Sequence, residues 1–250
     1  MALKSQLARL REVHQADLVI ANGENAAGGT GIDTKTAREI FAAGVDVITL
    51  GDHTWQRKEF LPFLDQEKER VIRPANYPAG AAGRGWTIVH RAGVSIGIFN
   101  LIGRVFTGQL VDCPFNKAEE LINGPLKDCR IVIADMHAEA TSEKIALGRV
   151  LDGKISCLFG THTHVQTADA EILPGGTAYV SDLGMTGPRE GVIGMDAEVA
   201  IKRFRTGLSH AYEISKGAQI ISGISLELSL ETGRAKKITL IRELLDATPQ

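Results

Sequence analysis

Apolar positions along the chain fall into two alternating patterns. Short, nearly continuous apolar runs recur at 17–22, 45–50, 95–100, 130–135, 155–160 and 177–181. Runs of this length, bounded by Gly, Asn or Asp, read as strands of a buried parallel sheet. Between them, 35–43, 56–66, 117–122, 142–151 and 195–206 carry the helical period. The first helix has Asp33 or Thr34 available as its N-cap and Gly44 behind its end. Strand–helix–strand alternation of this kind predicts an α/β fold. The opening segment has one apolar face and many charges, and reads as a surface helix leading into the first strand. Near the other end, 218–228 and 235–241 flank a Glu231-Thr232-Gly233 turn. They predict a hairpin that adds antiparallel strands to a sheet edge. No internal repeat or Pro/Ser-rich linker interrupts the pattern, so a single domain over 1–250 is expected.

Composition narrows this picture mainly by exclusion. Apolar residues make up 44% and charged residues 23% of the chain, as in folded soluble proteins. A net charge of -2 supplies no bulk attraction for duplex DNA, so an anionic substrate needs a local site. No apolar run approaches the length of a bilayer span, and the opening segment has no secretory h-region, so no leader is expected in it. Cys113, Cys129 and Cys157 are far apart and include no CxxC pair, which points to a reducing, cytoplasmic compartment.

The polar chemistry gathers where the predicted strands end. The first opens into Gly23-Glu24-Asn25, the second into Gly51-Asp52-His53, the 130–135 strand into His137-Ala138-Glu139, and the 155–160 strand into His162-Thr163-His164. Sites in open α/β sheets form at these carboxyl ends. Each residue also has a plainer role: Glu24 and Asn25 in satisfying turn amides, Asp52 in capping the next helix, a single His in hydrogen bonding. Extended alternation would put the His162 and His164 imidazoles on one side of the strand. Carboxylate, carboxamide and imidazole together suit Mn, Fe or Zn and disfavour an all-oxygen calcium site. His14, His90 and His210 lack such company. Trp55, Phe41, Phe63 and Phe99 are expected in the core, as is Cys157. Gly28, Gly29 and Gly31 match no dinucleotide or Walker spacing and read as a tight turn.

Six motifs carry a resemblance: NGENAAGG at 22–29, GDHTW at 51–55, RPANYP at 73–78, HAEATSEK at 137–144, GTHTHVQTAD at 160–169 and SDLGMTGP at 181–188. With these the chain resembles the YmdB-like branch of the calcineurin-like metallophosphoesterases. The resemblance implies a sandwich of two mixed β-sheets flanked by helices. It implies two metal ions, Fe or Mn with Zn open, and hydrolysis of 2′,3′-cyclic nucleotides by a water that both metals activate. By motif matching Glu24 bridges the metals, Asp52, His137 and His162 complete one site, His164 with Asn25 serves the other, and His53 is the catalytic acid. The partner is then a small phosphodiester, with neither duplex DNA nor a membrane, and a homo-oligomer is left open. Two departures stand out. The family opens with an apolar strand ending in Gly-Asp, whose Asp ligates one metal. Here nothing of that kind precedes Leu7, and the expectation is a truncated or mis-started chain with an apolar slot beside 17–22. Asp52 stands where the family has Asn. A non-catalytic nucleotide-binding regulator and a different metal hydrolase, such as an amidase, are the rival readings.

Overall fold

The computed structural model describes residues 2–245. The expected single domain also takes in residue 1 and residues 246–250, which lie outside the described residues. Chain order is α1 (Ala2–Val13), β1 (Ile20–Asn22), α2 (Thr34–Ala42), β2 (Val47–Thr49), a 3-10 turn at Lys58–Phe60, α3 (Leu61–Gln66) and β3 (Val71–Ile72). It continues with β4 (Trp86–Arg91), β5 (Val94–Ile102), α4 (Pro114–Asn123), β6 (Ile131–His137), α5 (Thr141–Leu151), β7 (Cys157–Thr161), β8 (Glu171–Ile172) and β9 (Ala178–Val180). It ends with β10 (Gly187–Pro188), α6 (Ala197–Thr206), β11 (Gln219–Leu228) and β12 (Ala235–Leu245).

The strands form a parallel sheet β1-β2-β3, a mixed six-stranded sheet in the order β4-β5-β6-β7-β9-β8, and an antiparallel sheet β10-β11-β12. Every residue of β6 is buried, which its unbroken apolar run dictates for an inner parallel strand. One face of the six-stranded sheet packs on α4 and α5 through Leu101, Leu121, Met136, Leu147 and Leu158. Its other face meets the small parallel sheet through Val47, Ile72, Ile98, Ile133 and Phe159. The helices α1, α2 and α3 cover the outer side of β1-β2-β3 with Leu7, Ile40 and Leu64. Sheets stacked on one another and flanked by helices are thus as expected. Asp33 caps α2 by accepting the Thr36 N–H at 2.7 Å.

Three local expectations are corrected. The predicted helix over 56–66 is a 3-10 turn followed by the short α3, because Pro62 favours a helix start there. The β4–β5 hairpin is missing from the predicted elements, although Ala92 and Gly93 both have positive φ, 49° and 77°, as a two-residue turn of the right twist demands. The β11–β12 hairpin does not extend the large sheet. The short β8 strand already pairs with β9 at that edge, so the hairpin lays Ile224, Leu226 and Ile238 over the sheet face instead.

An apolar cavity of about 680 Å³ is lined by Leu18 and Ile20 on one side and by Ile224 and Leu226 on the other. Among the described residues β1 pairs with β2 alone. Cys157, Phe99 and Phe63 are in the core, and Trp55 and Phe41 pack against it.

Candidate metal centre

The parallel strands β1, β2, β6 and β7 end at one edge of the stacked sheets, and their following loops converge. Asn22 ends β1 and accepts the Glu24 N–H at 3.1 Å on its own side-chain oxygen, which turns Glu24 inward to 2% exposure. Glu24 Oε1 accepts both the backbone N–H and the ring Nδ1 of His53, each at 2.9 Å. Its other oxygen lies 3.0 Å from His137 Nε2. Asp52 Oδ1 lies 3.0 Å from the same nitrogen and 3.5 Å from His162 Nδ1. Those two ring nitrogens are themselves 3.0 Å apart. Asp52 therefore faces the histidines and does not cap a helix. Gly51 is needed beside it, since a Cβ there would fall 2.3 Å from His137 Nε2.

Ligand atoms of Glu24, Asp52, His137 and His162 lie within 4.8 Å of one another. Two carboxylates and two imidazole nitrogens aimed at one small volume have the donor set and spacing of a Mn, Fe or Zn site. The electrostatics agree. Burial opposes ionisation of Glu24 and of Asp52, yet the neighbouring histidines hold both carboxyls below the usual range. Burial likewise opposes charge on His137, but Glu24 and Asp52 hold its pKa up to about 10. The hydrogen bond to Glu24 raises the pKa of His53 against its burial. The cluster thus concentrates negative charge that protons on histidine offset, a role a cation can take.

His164 and Asn25 form a second group. Asn25 Nδ2 lies 3.5 Å from His164 Nε2, while among the described residues the buried Asn25 Oδ1 and His164 Nδ1 make no close hydrogen bond, the Ile193 backbone lying near the ring. Burial lowers the pKa of His164, which favours the neutral imidazole that a metal takes as a ligand. A carboxamide oxygen and an imidazole nitrogen left unsatisfied beside the first cluster fit a second cation.

His162 and His164 reach these two groups for a reason other than the expected alternation. Strand β7 stops at Thr161, and both histidines have positive φ, 97° and 67°. The turn sends one imidazole toward Glu24 and Asp52 and the other toward Asn25. Asp182 holds it by accepting the Thr163 N–H at 3.0 Å and the Thr163 hydroxyl at 2.7 Å. Asp182 is in turn paired with the buried Lys144 at 3.1 Å. Sequence reasoning assigns no role to Lys144, Asp182 or Asp135. Asp135 is fully buried and accepts the Thr161 hydroxyl at 2.7 Å, and Thr161 Oγ1 lies 3.0 Å from His137 Nδ1. These residues orient the rings that face the cluster. Their signal was available, since Asp135 precedes a site histidine by two positions and Asp182 follows a strand end. His162 Nε2 also meets Glu139 at 3.1 Å. The His90 ring bonds Ser95 and stands apart from the cluster. Gly28, Gly29 and Gly31 have φ of 73°, 90° and 74°, a turn as expected.

A family profile described as "YmdB-like protein" matches residues 1–241. A 2′,3′-cyclic-nucleotide 2′-phosphodiesterase of Bacillus subtilis is 45% identical over 239 residues, covering 96% of this chain and 90% of that protein. The crystal structure of a phosphatase from Mycoplasma pneumoniae superposes with a TM-score of 0.91 at 37% identity, over 98% of this chain and 89% of the other. A hypothetical protein of Thermus thermophilus gives 0.89 at 40% identity, over 98% and 93%.

Proposed function

The chain belongs to the YmdB-like family of calcineurin-like metallophosphoesterases, and on that premise we propose that it is a phosphodiesterase opening 2′,3′-cyclic nucleotides at a two-metal centre. The observation that carries this is the convergence of Glu24, Asp52, His137 and His162 within 4.8 Å, with His53 bonded to the same Glu24. Glu24, Asp52, His137 and His162 would hold one ion, and His164 with Asn25 the other, Glu24 bridging them. Mn or Fe suits the mixed donors best, and Zn suits them too. When bound, such ions neutralise phosphoryl oxygens and lower the pKa of the attacking water.

The residues of the chain supply the rest. Water adds to phosphorus, one P–O bond to ribose breaks, and the departing oxygen needs a proton. His53 is placed to give it. Its Nδ1 is fixed on Glu24, its Nε2 carries no hydrogen bond among the described residues, and its raised pKa keeps it protonated nearer neutral pH. Asp135, through Thr161, and the Lys144–Asp182 pair, through Thr163, hold His137, His162 and His164 in register. The substrate is a small diester, and no described helix is long and apolar enough to cross a membrane. We place the enzyme in the cytoplasm, from its free cysteines and its nucleotide substrate.

The test is metal analysis of purified protein together with turnover of 2′,3′-cyclic AMP. Hydrolysis that a chelator abolishes and Mn²⁺ restores supports the reading. Two bound equivalents with nucleotide bound but never hydrolysed would replace it with the regulatory reading.

A further inference from the structure

Residues 103–111, between β5 and α4, form a loop that the chemistry above does not use, and it is anchored unusually well. Asn76 is fully buried and pins both ends. Its Nδ2 donates to the carbonyls of Ile102 at 2.8 Å and Asp112 at 3.0 Å, and its Oδ1 accepts the Ile102 N–H at 2.9 Å. The Asn76 carbonyl accepts the Asp112 N–H at 2.8 Å. Glu143, nearly buried, fixes the root again by accepting the N–H groups of Arg104 at 3.0 Å and Val105 at 3.2 Å. The approach is close enough that a Cβ on Gly103 would lie 2.4 Å from Glu143 Oε2. Further along, Gln109 accepts the Tyr77 hydroxyl at 3.3 Å.

The loop's root and its Tyr77 contact lead to the candidate metal centre. Ile102 pairs with His137 across β5 and β6, and Gly103 N–H donates to the His137 carbonyl at 2.9 Å. Tyr77 packs edge-on against Trp55, two residues from His53, with ring centroids 5.2 Å apart.

What this scaffold presents is unsuited to water alone. Phe106 is 86% exposed and Leu110 89% exposed. Phe106 has φ of 61°, a left-handed backbone that a bulky residue adopts only where its surroundings enforce it. Arg104 is exposed, and among the described residues its guanidinium has no partner. A flat aromatic ring and an unpaired guanidinium two residues apart, on a loop whose root bonds the His137 carbonyl, match a base and its phosphate.

We propose that loop 103–111 is the nucleoside-recognition element of this site, with Phe106 stacking on the base of the cyclic nucleotide and Arg104 drawing its anionic phosphate. The proposal rests on the cyclic-nucleotide reading of the centre, and its test separates the two. Wild type, Phe106→Ala, Phe106→Trp and Arg104→Gln are compared on 2′,3′-cyclic AMP and on glycerol 1,2-cyclic phosphate, a diester without a base. Wild-type turnover of the first substrate tests the reading of the centre. The variant ratios test the loop. Phe106→Ala is expected to raise KM for the nucleotide about 10-fold, in line with stacking on one base, and to leave the glycerol diester within about twofold. Phe106→Trp restores the nucleotide KM, and Arg104→Gln weakens both substrates. Equilibrium binding of adenosine 3′-monophosphate against glycerol phosphate gives the same comparison without turnover. An equal loss on both substrates for Phe106→Ala, an unchanged nucleotide KM, or a changed molecular mass with KM unaltered would overturn the proposal. The last outcome would assign Phe106 to an interface between copies of the chain.

Discussion

Two groups of donors lie side by side at one edge of the stacked sheets, and they are built differently. The Glu24–Asp52–His137–His162 cluster is charged, with its members already bonded to one another. The Asn25–His164 group holds no carboxylate, and among the described residues it leaves a carboxamide oxygen and a ring nitrogen without a close hydrogen bond. Both depend on the same His162-Thr163-His164 turn. That turn gives each group one histidine, so the turn does not distinguish the two positions. The carboxylates do, because negative charge near a cation governs its retention.

The largest expected effect comes from separating the two histidines. His162→Ala and His164→Ala should each lower bound metal by about one equivalent and remove most hydrolysis, since a two-metal clamp needs both ions. Metal analysis beside turnover checks this, and full occupancy in both variants would show that neither ring is a ligand. His53→Ala should reduce kcat by about 10²–10⁴-fold while metal content stays near wild type, because His53 contacts Glu24 but is proposed to act on the leaving oxygen. A parallel loss of metal would move His53 into the ligand set.

The shared turn offers a third way to break the comparison. Lys144→Met leaves Asp182 as an unpaired buried carboxylate and should cost about 3–5 kcal/mol of stability. Thermal unfolding measures this. Both sites should lose metal affinity together, whereas an effect confined to one would show that the two histidines are held independently. Graded chelation should then release the ion of the Asn25–His164 group first, with affinities differing by about tenfold or more from the charge difference alone. Release in the reverse order would mean that the unsatisfied atoms, not the carboxylates, set affinity.

The smallest effect is a pH dependence of the metal-free protein. His137 has its folded pKa raised to about 10, above the ordinary histidine value. A raised pKa contributes stability that is full below the unfolded value, about 6.5, and is lost as pH rises toward the folded one. The melting temperature of the metal-free form should therefore fall as pH rises from about 7 to about 10. His137→Gln should flatten that slope. A slope surviving in the variant would place its origin outside the charged cluster.

Much of this architecture was legible from pattern. The buried strand β6, the capped helix α2 and the gathering of Glu24, Asp52, His137 and His162 at strand ends follow from apolar runs punctuated by polar residues, which local chemistry dictates. The motifs carried the family for the same reason. Other features depended on neighbours distant in sequence. The β11–β12 hairpin was readable as a hairpin, but its place over the sheet face depended on β8 occupying the edge. The separation of His162 from His164 required the left-handed backbone at both, held by Asp182 and Lys144 from distant parts of the chain. Asn76 closing the 103–111 loop is likewise a contact across sequence. Residue type and period therefore determined which groups could meet at this edge. Only tertiary packing decided which atoms do, because left-handed turns, buried ion pairs and paired edges are fixed by contacts that no local window contains.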